Sequence, residues 1–290
     1  MTTLSVSVVI PCKNEEKTIV NVLDGLLKTY PEYEIIVVND GSTDNTSSVL
    51  ASYDNLNVVT HKHSLGNGAA IKSGARAAKN DVLLFMDADG QHNADQVSKL
   101  IDNIALGYDM VVGARSSSSQ ATRTRSLGNR IYNKIATFIT NHKVKDLTSG
   151  FRAVNRKKFL EFISLLPNGF SYPTTITMAF FRTGYQVRYV DVNVSDRIGN
   201  SHLSVVKDGI RFLIIIFKVA TLYSPLKLIA PVSALTFLSG LGLYSYNYLM
   251  FQNFTNMSLL LLLSSIIIFI IGLLSEQITA ITYLLIQKQK

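Results

Sequence analysis

Asp81-Val82-Leu83-Leu84-Phe85-Met86-Asp87-Ala88-Asp89-Gly90-Gln91-His92 opens as a continuous apolar run and closes on two carboxylates one position apart. A short apolar run bounded by polar residues reads as a buried strand. Side chains alternate along an extended backbone, so Asp87 and Asp89 are expected to point the same way at its carboxyl end. Working outward, Leu4 to Ile10, Glu34 to Val38 and Val111 to Arg115 have the same β-branched character. Between them Ile19, Leu23, Leu26 and Leu27 fall on one helical face, and Ala69 to Ala78 reads as a further helix. Alternating strands and helices predict an α/β fold, a Rossmann-like, mostly parallel sheet covered by helices. Ligands of such sheets gather at the carboxyl ends of the strands, so the loops that follow them carry the candidate chemistry.

Composition narrows the class. The 290 residues hold 28 Lys+Arg against 20 Asp+Glu, a net charge of +8, with 47% hydrophobic and 17% charged residues. That hydrophobicity excludes a disordered chain. A lone cysteine, Cys12, excludes a disulfide framework and any multi-cysteine metal site, and reads as a packing residue. From Leu228 through Ser275 there is no Asp, Glu, Lys, Arg or His, which is room for two membrane spans of roughly 20 residues each. The expected spans run from Leu228 to about Met250 and from Leu259 to about Leu274, joined by Tyr244–Ser258. Pro231 is tolerable near a helix start, and Gly240 and Gly242 suit close helix packing. Val205 to Tyr223, apolar but carrying Lys207, Asp208, Arg211 and Lys218, reads as an amphipathic helix in the membrane interface or as one more core helix. The expected organisation is therefore a catalytic-sized domain over 1–204, an interfacial region over 205–227 and a transmembrane hairpin over 228–290. No secretory signal is visible ahead of the first strand. The segment between the spans lacks basic residues, whereas the amino-terminal domain and the Gln-Lys-Gln-Lys tail carry them. The positive-inside rule then places both ends in the cytoplasm.

The strand-end loops share a chemistry. Two carboxylates beside a diphosphate make a hard-oxygen site suited to Mg²⁺ or Mn²⁺; a solvated turn is the alternative for Asp87-Ala88-Asp89-Gly90 taken alone. Val9-Ile10-Pro11-Cys12-Lys13-Asn14-Glu15-Glu16 and Val38-Asn39-Asp40-Gly41-Ser42-Thr43-Asp44-Asn45-Thr46 place acids and short polar groups where a nucleotide's hydroxyls and base edges can meet them. Thr43 and Asp44 equally suit helix caps. Leu65-Gly66-Asn67-Gly68-Ala69-Ala70-Ile71-Lys72 opens a helix whose first amides can meet a phosphate, without the spacing of a P-loop.

These loops, in this order, resemble the family 2 glycosyltransferases of the GT-A fold over residues 5 to about 115. The resemblance implies a nucleotide-sugar donor, with Pro11, Asn14, Glu16, Asp40 and Lys72 around it. It implies that Asp87 and Asp89 hold Mg²⁺ or Mn²⁺ on the donor diphosphate, with Gln91 at a further metal position of the polyprenyl-phosphate branch. Catalysis is expected to rest on Asp89, Arg115 and Arg130.

Inverting transfer to a hydroxyl needs a general base, and no Asp or Glu occurs between Glu161 and Asp191. A phosphate monoester, whose second pKa is about 6, is already an anionic nucleophile at neutral pH. The missing acid favours a phosphate acceptor, with Asp146 and Asp191 as the remaining objections. Arg115, then Arg123, Arg125 and Arg130 ahead of Tyr132-Asn133-Lys134, then Asp146-Leu147-Thr148-Ser149-Gly150-Phe151-Arg152-Ala153 and Asp196-Arg197-Ile198-Gly199-Asn200-Ser201-His202-Leu203 supply the cations. Arg123 and Arg125 read as a solvated face or as facing anionic lipid. The others sit in motifs similar to the dolichyl-phosphate mannose synthase and polyprenyl-phosphate glycosyltransferase branch, which implies Arg115 and Arg130 on the acceptor phosphate and Arg197 on the diphosphate. A guanidinium fork meets phosphate oxygens two at a time, which an ammonium cannot do. His202 stands where that branch commonly has Lys, and Thr174 and Thr175 where an acid is frequent, which leaves the sugar open between GDP-mannose and UDP-glucose types. The expected partners are a nucleotide-sugar, a polyprenyl or dolichyl phosphate and a lipid membrane, with no nucleic acid; a homo-oligomer built through the membrane helices is compatible. A processive polysaccharide synthase would need more spans and a tryptophan that the chain lacks. An intact D-x-D loop argues against a non-catalytic binding protein.

Overall fold

Every residue of Val6–Cys12 (β1) is buried, as suits an interior strand flanked on both sides in a seven-stranded sheet. The computed structural model describes residues 4–115, 133–169, 171–194, 217 and 220–288, and the chain divides into two units, Met1–Arg211 and Phe212–Lys290.

In the first unit β1 is followed by α1 (Ile19–Thr29), β2 (Glu34–Asn39), α2 (Thr46–Leu50), β3 (Asn57–Thr60), α3 (Asn67–Ala77), β4 (Val82–Phe85), α4 (Val97–Ala105), β5 (Met110–Arg115), β6 (Arg152–Asn155) and β7 (Val187–Val192). The sheet order is β3-β2-β1-β4-β6-β5-β7. Pairings β1–β2, β2–β3, β1–β4 and β5–β7 are parallel, and β6 alone runs against its neighbours β4 and β5. The mostly parallel sheet expected from the alternating pattern is present. The chain builds outward from β1 through β2 to β3, then crosses to lay β4 on the other side. Such a reversal opens a crevice at the carboxyl ends of the two strands, between the loops after Cys12 and after Phe85. Because β6 is antiparallel, its beginning lies at that same edge: Phe85 pairs with Arg152, and Val112 pairs with Arg152 from the other side.

The helices follow from simple patterns. In α1 the buried residues are Ile19, Val22, Leu23 and Leu26, one stripe of a 3.6-residue period. In α3 they are mostly glycine and alanine, so the helix lies close on the sheet. A Cβ on Gly74 would stand 2.3 Å from Val9 Cγ1.

In the second unit Pro225–Phe251 and Asn256–Lys288 form two helices long and apolar enough to cross a membrane. Both exceed the expected spans. The first starts at Pro225, since a proline lacking an amide suits a helix's opening turn. It also continues through Tyr244, and the connection is only residues 252–255, closed by Gln252 in the left-handed region (φ 54°). The second passes Leu274 because Ser275-Glu276-Gln277 changes polarity without a glycine or proline to end it. Ser233 Oγ donates to the Ser265 carbonyl at 2.9 Å. A Cβ on Gly240 would lie 3.0 Å from Leu261 Cβ, and one on Gly272 would lie 2.9 Å from Ile229 Cγ2, while Gly242 meets nothing. Small residues on both helices thus set an antiparallel seam. Of Val205–Tyr223, the expected interfacial helix, only 217 and 220–223 lie among the described residues.

Overpacking a filled interior costs about 1–3 kcal/mol. Gly74→Ala is expected to destabilise the first unit by that amount in chemical denaturation of the purified protein, whereas Gly242→Ala is expected to leave the hairpin unaffected.

Candidate active site

The loops after β1 and β2 are laced together. Asn14 takes the left-handed conformation (φ 55°), its amide donating to Ser42 Oγ at 3.0 Å and its Oδ1 accepting from the Thr43 amide at 2.8 Å. The Glu16 amide donates to Asp44 at 3.3 Å, and Glu16 accepts from the Asn45 amide at 3.0 Å. Asp44 also accepts from the Thr46 amide at 3.0 Å, a turn just ahead of α2, whose N-cap position is Asn45 and not the expected Thr43 or Asp44. Pro11 is buried within β1 opposite Val38. Cys12 is buried, and burial pushes its thiol up to about 12, consistent with a packing role.

Asp40, only 3% exposed, ends β2 as a hub. It pairs with His61 Nδ1 at 2.7 Å, and accepts from Ser64 Oγ at 2.7 Å, the Leu65 amide at 2.8 Å and the Gly66 amide at 2.9 Å. Burial alone would raise its pKa, but hydrogen bonds from His61, Leu65, Ser64 and Gly66 outweigh it and hold the carboxyl down at about 2. His61 is oriented in turn by Ser73 Oγ at 2.9 Å from Nε2. No sequence signal singled out His61.

The loop that opens α3 departs from the phosphate-cradle expectation. The Ala69 amide donates to the Asn168 carbonyl at 3.1 Å. A Cβ on Gly66 would stand 2.5 Å from Asn168 O, and one on Gly68 would stand 2.1 Å from Pro167 O. The glycines admit another backbone segment, not a phosphate. Lys72 Nζ donates to the Leu166 carbonyl at 3.1 Å and to Asn168 Oδ1, which ties the same segment down.

After β4 the chain turns at Ala88–Asp89, and Gly90 takes a positive φ of 73°. Ala88 is buried between the half-buried Asp87 and Asp89. Asp89 Oδ1 accepts from the Gln91 amide at 3.1 Å. Gly150, from the strand-entry turn of β6, sits against the Asp87 carboxylate: a Cβ there would stand 2.8 Å from Oδ2. No group of three or more His, Cys, Asp or Glu suited to a metal occurs among the described residues. The donor set is two carboxylates with the Gln91 side-chain carbonyl oxygen, and Mg²⁺ or Mn²⁺ is commonly held by one or two carboxylates with substrate phosphates completing the shell. The residues fit such an ion.

The cationic side of this edge is built on Arg115, at the end of β5. Its Nε meets Asp146 Oδ2 at 2.8 Å, and its Nη2 meets Asp146 Oδ1 at 3.0 Å and Thr148 Oγ1 at 2.6 Å. Burial works against the Arg115 cation, but the bonds and charge of Asp146, with Asp87, outweigh it and raise its pKa. Asp146 is 6% exposed; burial works to raise its pKa, yet Arg115 and Thr148 hold it below the usual carboxylate range. His92 stacks on Phe151 with ring centroids 4.5 Å apart. Burial, then the Arg115 charge, pushes it down to about 4 against Asp146, so it is neutral. Arg130 and Arg197, like Arg123, Arg125 and His202, lie outside the described residues. Arg152, which sequence reasoning passed over as one letter in a longer motif, is completely buried beside this cluster.

Residues 7–162 match Glycosyl transferase family 2. The chain is a family 2 glycosyltransferase. Residues 224–281 of the transferase match the GtrB C-terminal hairpin. It is 29% identical over 248 residues to Glycosyltransferase AglJ of Haloferax volcanii, covering 83% of this chain and 80% of that one. It is 29% identical over 213 residues to the polyprenol monophosphomannose synthase of Mycolicibacterium smegmatis, covering 68% and 80%. Among solved structures, glucosyl-3-phosphoglycerate synthase from Mycobacterium tuberculosis, in complex with Mn²⁺, uridine diphosphate and phosphoglyceric acid, superposes with a TM-score of 0.60 at 22% identity, over 75% of this chain and 78% of that chain. That likeness establishes the GT-A-like fold of the transferase.

A carboxyl whose folded pKa is depressed stabilises the fold fully above its unfolded value, near 3.9, and loses that contribution as pH falls towards the folded value of about 2. Asp40→Asn is therefore expected to remove on the order of 2 kcal/mol at pH 7. It is also expected to flatten the acid limb of stability between about pH 4 and pH 2, measured by unfolding across that range.

Proposed function

We propose that the transferase is membrane-anchored and inverting, and moves a hexose from a nucleotide-sugar of the GDP-mannose or UDP-glucose type to polyprenyl or dolichyl phosphate. The observation that carries this reading is the state of Asp146. It is the buried carboxylate nearest in kind to a general base, yet it is engaged by both arms of Arg115 and held below the usual carboxylate range. Asp191, the other candidate, is exposed and paired with Lys145 at 3.1 Å. Neither is poised to take a proton, and a phosphate acceptor has none to give at neutral pH. The polyprenol monophosphomannose synthase among the relatives points the same way, as does the match to the GtrB hairpin.

In this reading Arg115, its Nε and Nη2 braced by Asp146 and Thr148, brings its positive charge to the acceptor phosphate and orients the attacking oxygen. Arg130 shares the acceptor and Arg197 the diphosphate. Pro11, Asn14, Glu16, Asp40 and Lys72 surround the donor, the laced loops presenting their remaining edges to base and ribose. Asp87, Asp89 and Gln91 hold the divalent ion. When bound, that ion supplies Lewis-acid stabilisation of the leaving diphosphate. The two apolar helices anchor the transferase in the membrane that holds a long-chain lipid phosphate, with the catalytic unit and the C-terminus on the cytoplasmic side.

The test is a panel of radiolabelled nucleotide-sugars incubated with membranes and polyprenyl phosphate. Label is expected in a lipid monophosphate sugar with one donor, and label found only in polymer or protein would overturn the acceptor. Asp87→Asn and Asp89→Asn are each expected to lower turnover by about 100-fold or more. Chelation is expected to abolish turnover, and added Mg²⁺ or Mn²⁺ to restore it.

A further inference from the structure

Arg152 has relative exposure of 0%, and it is held by neutral groups. Nε donates to the Ser149 carbonyl at 3.2 Å, and Nη2 donates to the same oxygen. Nη1 donates to the Pro173 carbonyl at 3.0 Å and to Thr177 Oγ1 at 3.0 Å. No carboxylate lies within ion-pair distance of it among the described residues. A buried cation without a contacting anion is expensive, and a leucine or methionine would pack a core strand without that penalty. Its hydrogen bonds suggest why it is there. Two of the guanidinium's three nitrogens converge on Ser149, and the next residue is Gly150, whose missing side chain leaves the seat of the Asp87 carboxylate. The negative charges of Asp146 and Asp87 reach Arg152 as well.

We infer that Ser149-Gly150 and Arg152 form a positioning element for Asp87: Arg152 clamps the Ser149 carbonyl, the clamp fixes Gly150, and Gly150 bounds the carboxylate on the side where any larger residue would displace it. The inference rests on the proposed role of Asp87 as a metal ligand. Residues that orient a ligand from behind typically govern metal affinity by 10–100-fold.

Gly150→Ala is the discriminating variant. Its Cβ would fall 2.8 Å from Asp87 Oδ2, and the atom that must yield is the tip of a side chain, so the fold is retained while the carboxylate moves. Mn²⁺ binding is read from the free-ion electron paramagnetic resonance signal, on full-length protein in detergent with UDP or GDP present. Gly150→Ala is expected to weaken Mn²⁺ binding by about tenfold or more, with an unfolding midpoint close to that of the unmodified protein. Arg152→Met is expected to weaken it similarly in the folded fraction, and Arg152→Lys, which keeps the charge and a donor, to recover part of the loss. Unchanged Mn²⁺ affinity in Gly150→Ala would overturn the inference. Tighter binding in Arg152→Met would also overturn it, by showing that Arg152 acts on the ion only through repulsion. An unmodified protein that binds no Mn²⁺ with either nucleotide would instead overturn the metal role of Asp87 itself.

Discussion

The antiparallel pairing of Phe85 with Arg152 decides where the chemistry of this chain is assembled. In a purely parallel sheet only the loops that follow strands meet at the ligand-binding edge. One reversed strand between β4 and β5 adds the loop that precedes it. That loop carries Asp146, Thr148, Ser149 and Gly150, and it arrives between the ends of β4 and β5, which carry Asp87 and Arg115. Residues separated by some 60 positions are thereby brought into contact, and the glycine at 150 is the residue that lets the two loops approach so closely.

Part of the charge at this edge is paired before any substrate arrives. Asp146 is matched by Arg115 in direct contact, and the charges of Asp87 and Asp146 reach the buried Arg152. In a low-dielectric setting such groups interact strongly, so binding of an anionic substrate or a cation has to redistribute existing pairings. The loop after β2 follows the same logic with fewer charges: Asp40 is stabilised by hydrogen bonds from a neighbouring loop. In both cases a carboxylate is engaged by several protein donors, which is why neither Asp40 nor Asp146 is free to act as a proton acceptor.

What could be read from the sequence was whatever rests on local pattern. Buried strands announced themselves as apolar runs, and the D-x-D loop as an abrupt change of chemistry at the end of one. What could not be read depends on which strand lies beside which. Arg152 is one cation in a motif until β6 is known to run backwards between two buried strands. His61 follows a short edge strand and becomes meaningful only when Asp40 is seen to accept from it. The loop that opens α3 misled for the same reason: glycine at a helix start admits any close approach, and here residues 167–169 make it. The hairpin boundaries slipped because polarity marks where a helix leaves an apolar setting, not where its hydrogen bonding stops.

The helix starts show how both units solve one physical problem. The first amides of a helix have no partner within it, and a ligand, a solvent molecule or a distant residue must supply one. In α3 the supplier is the Asn168 carbonyl, about a hundred residues away. In the hairpin it is Glu276, the first charged residue after the apolar stretch, which accepts from the Leu226 amide and from Ser224 Oγ, each at 3.2 Å. A carboxylate is favoured at the positive end of a helix dipole, and Pro225 removes one amide that would otherwise go unpaired. Capping by a residue of the neighbouring helix couples the start of one helix to the register of the other. A slip of one turn, about 5.4 Å, would separate Glu276 from Leu226 and also lift Ile229 from Gly272 and Ser233 from the Ser265 carbonyl. The seam therefore resists sliding through polar and steric contacts alike, which is what two apolar helices need when hydrocarbon gives them no hydrophobic reason to prefer one register over another.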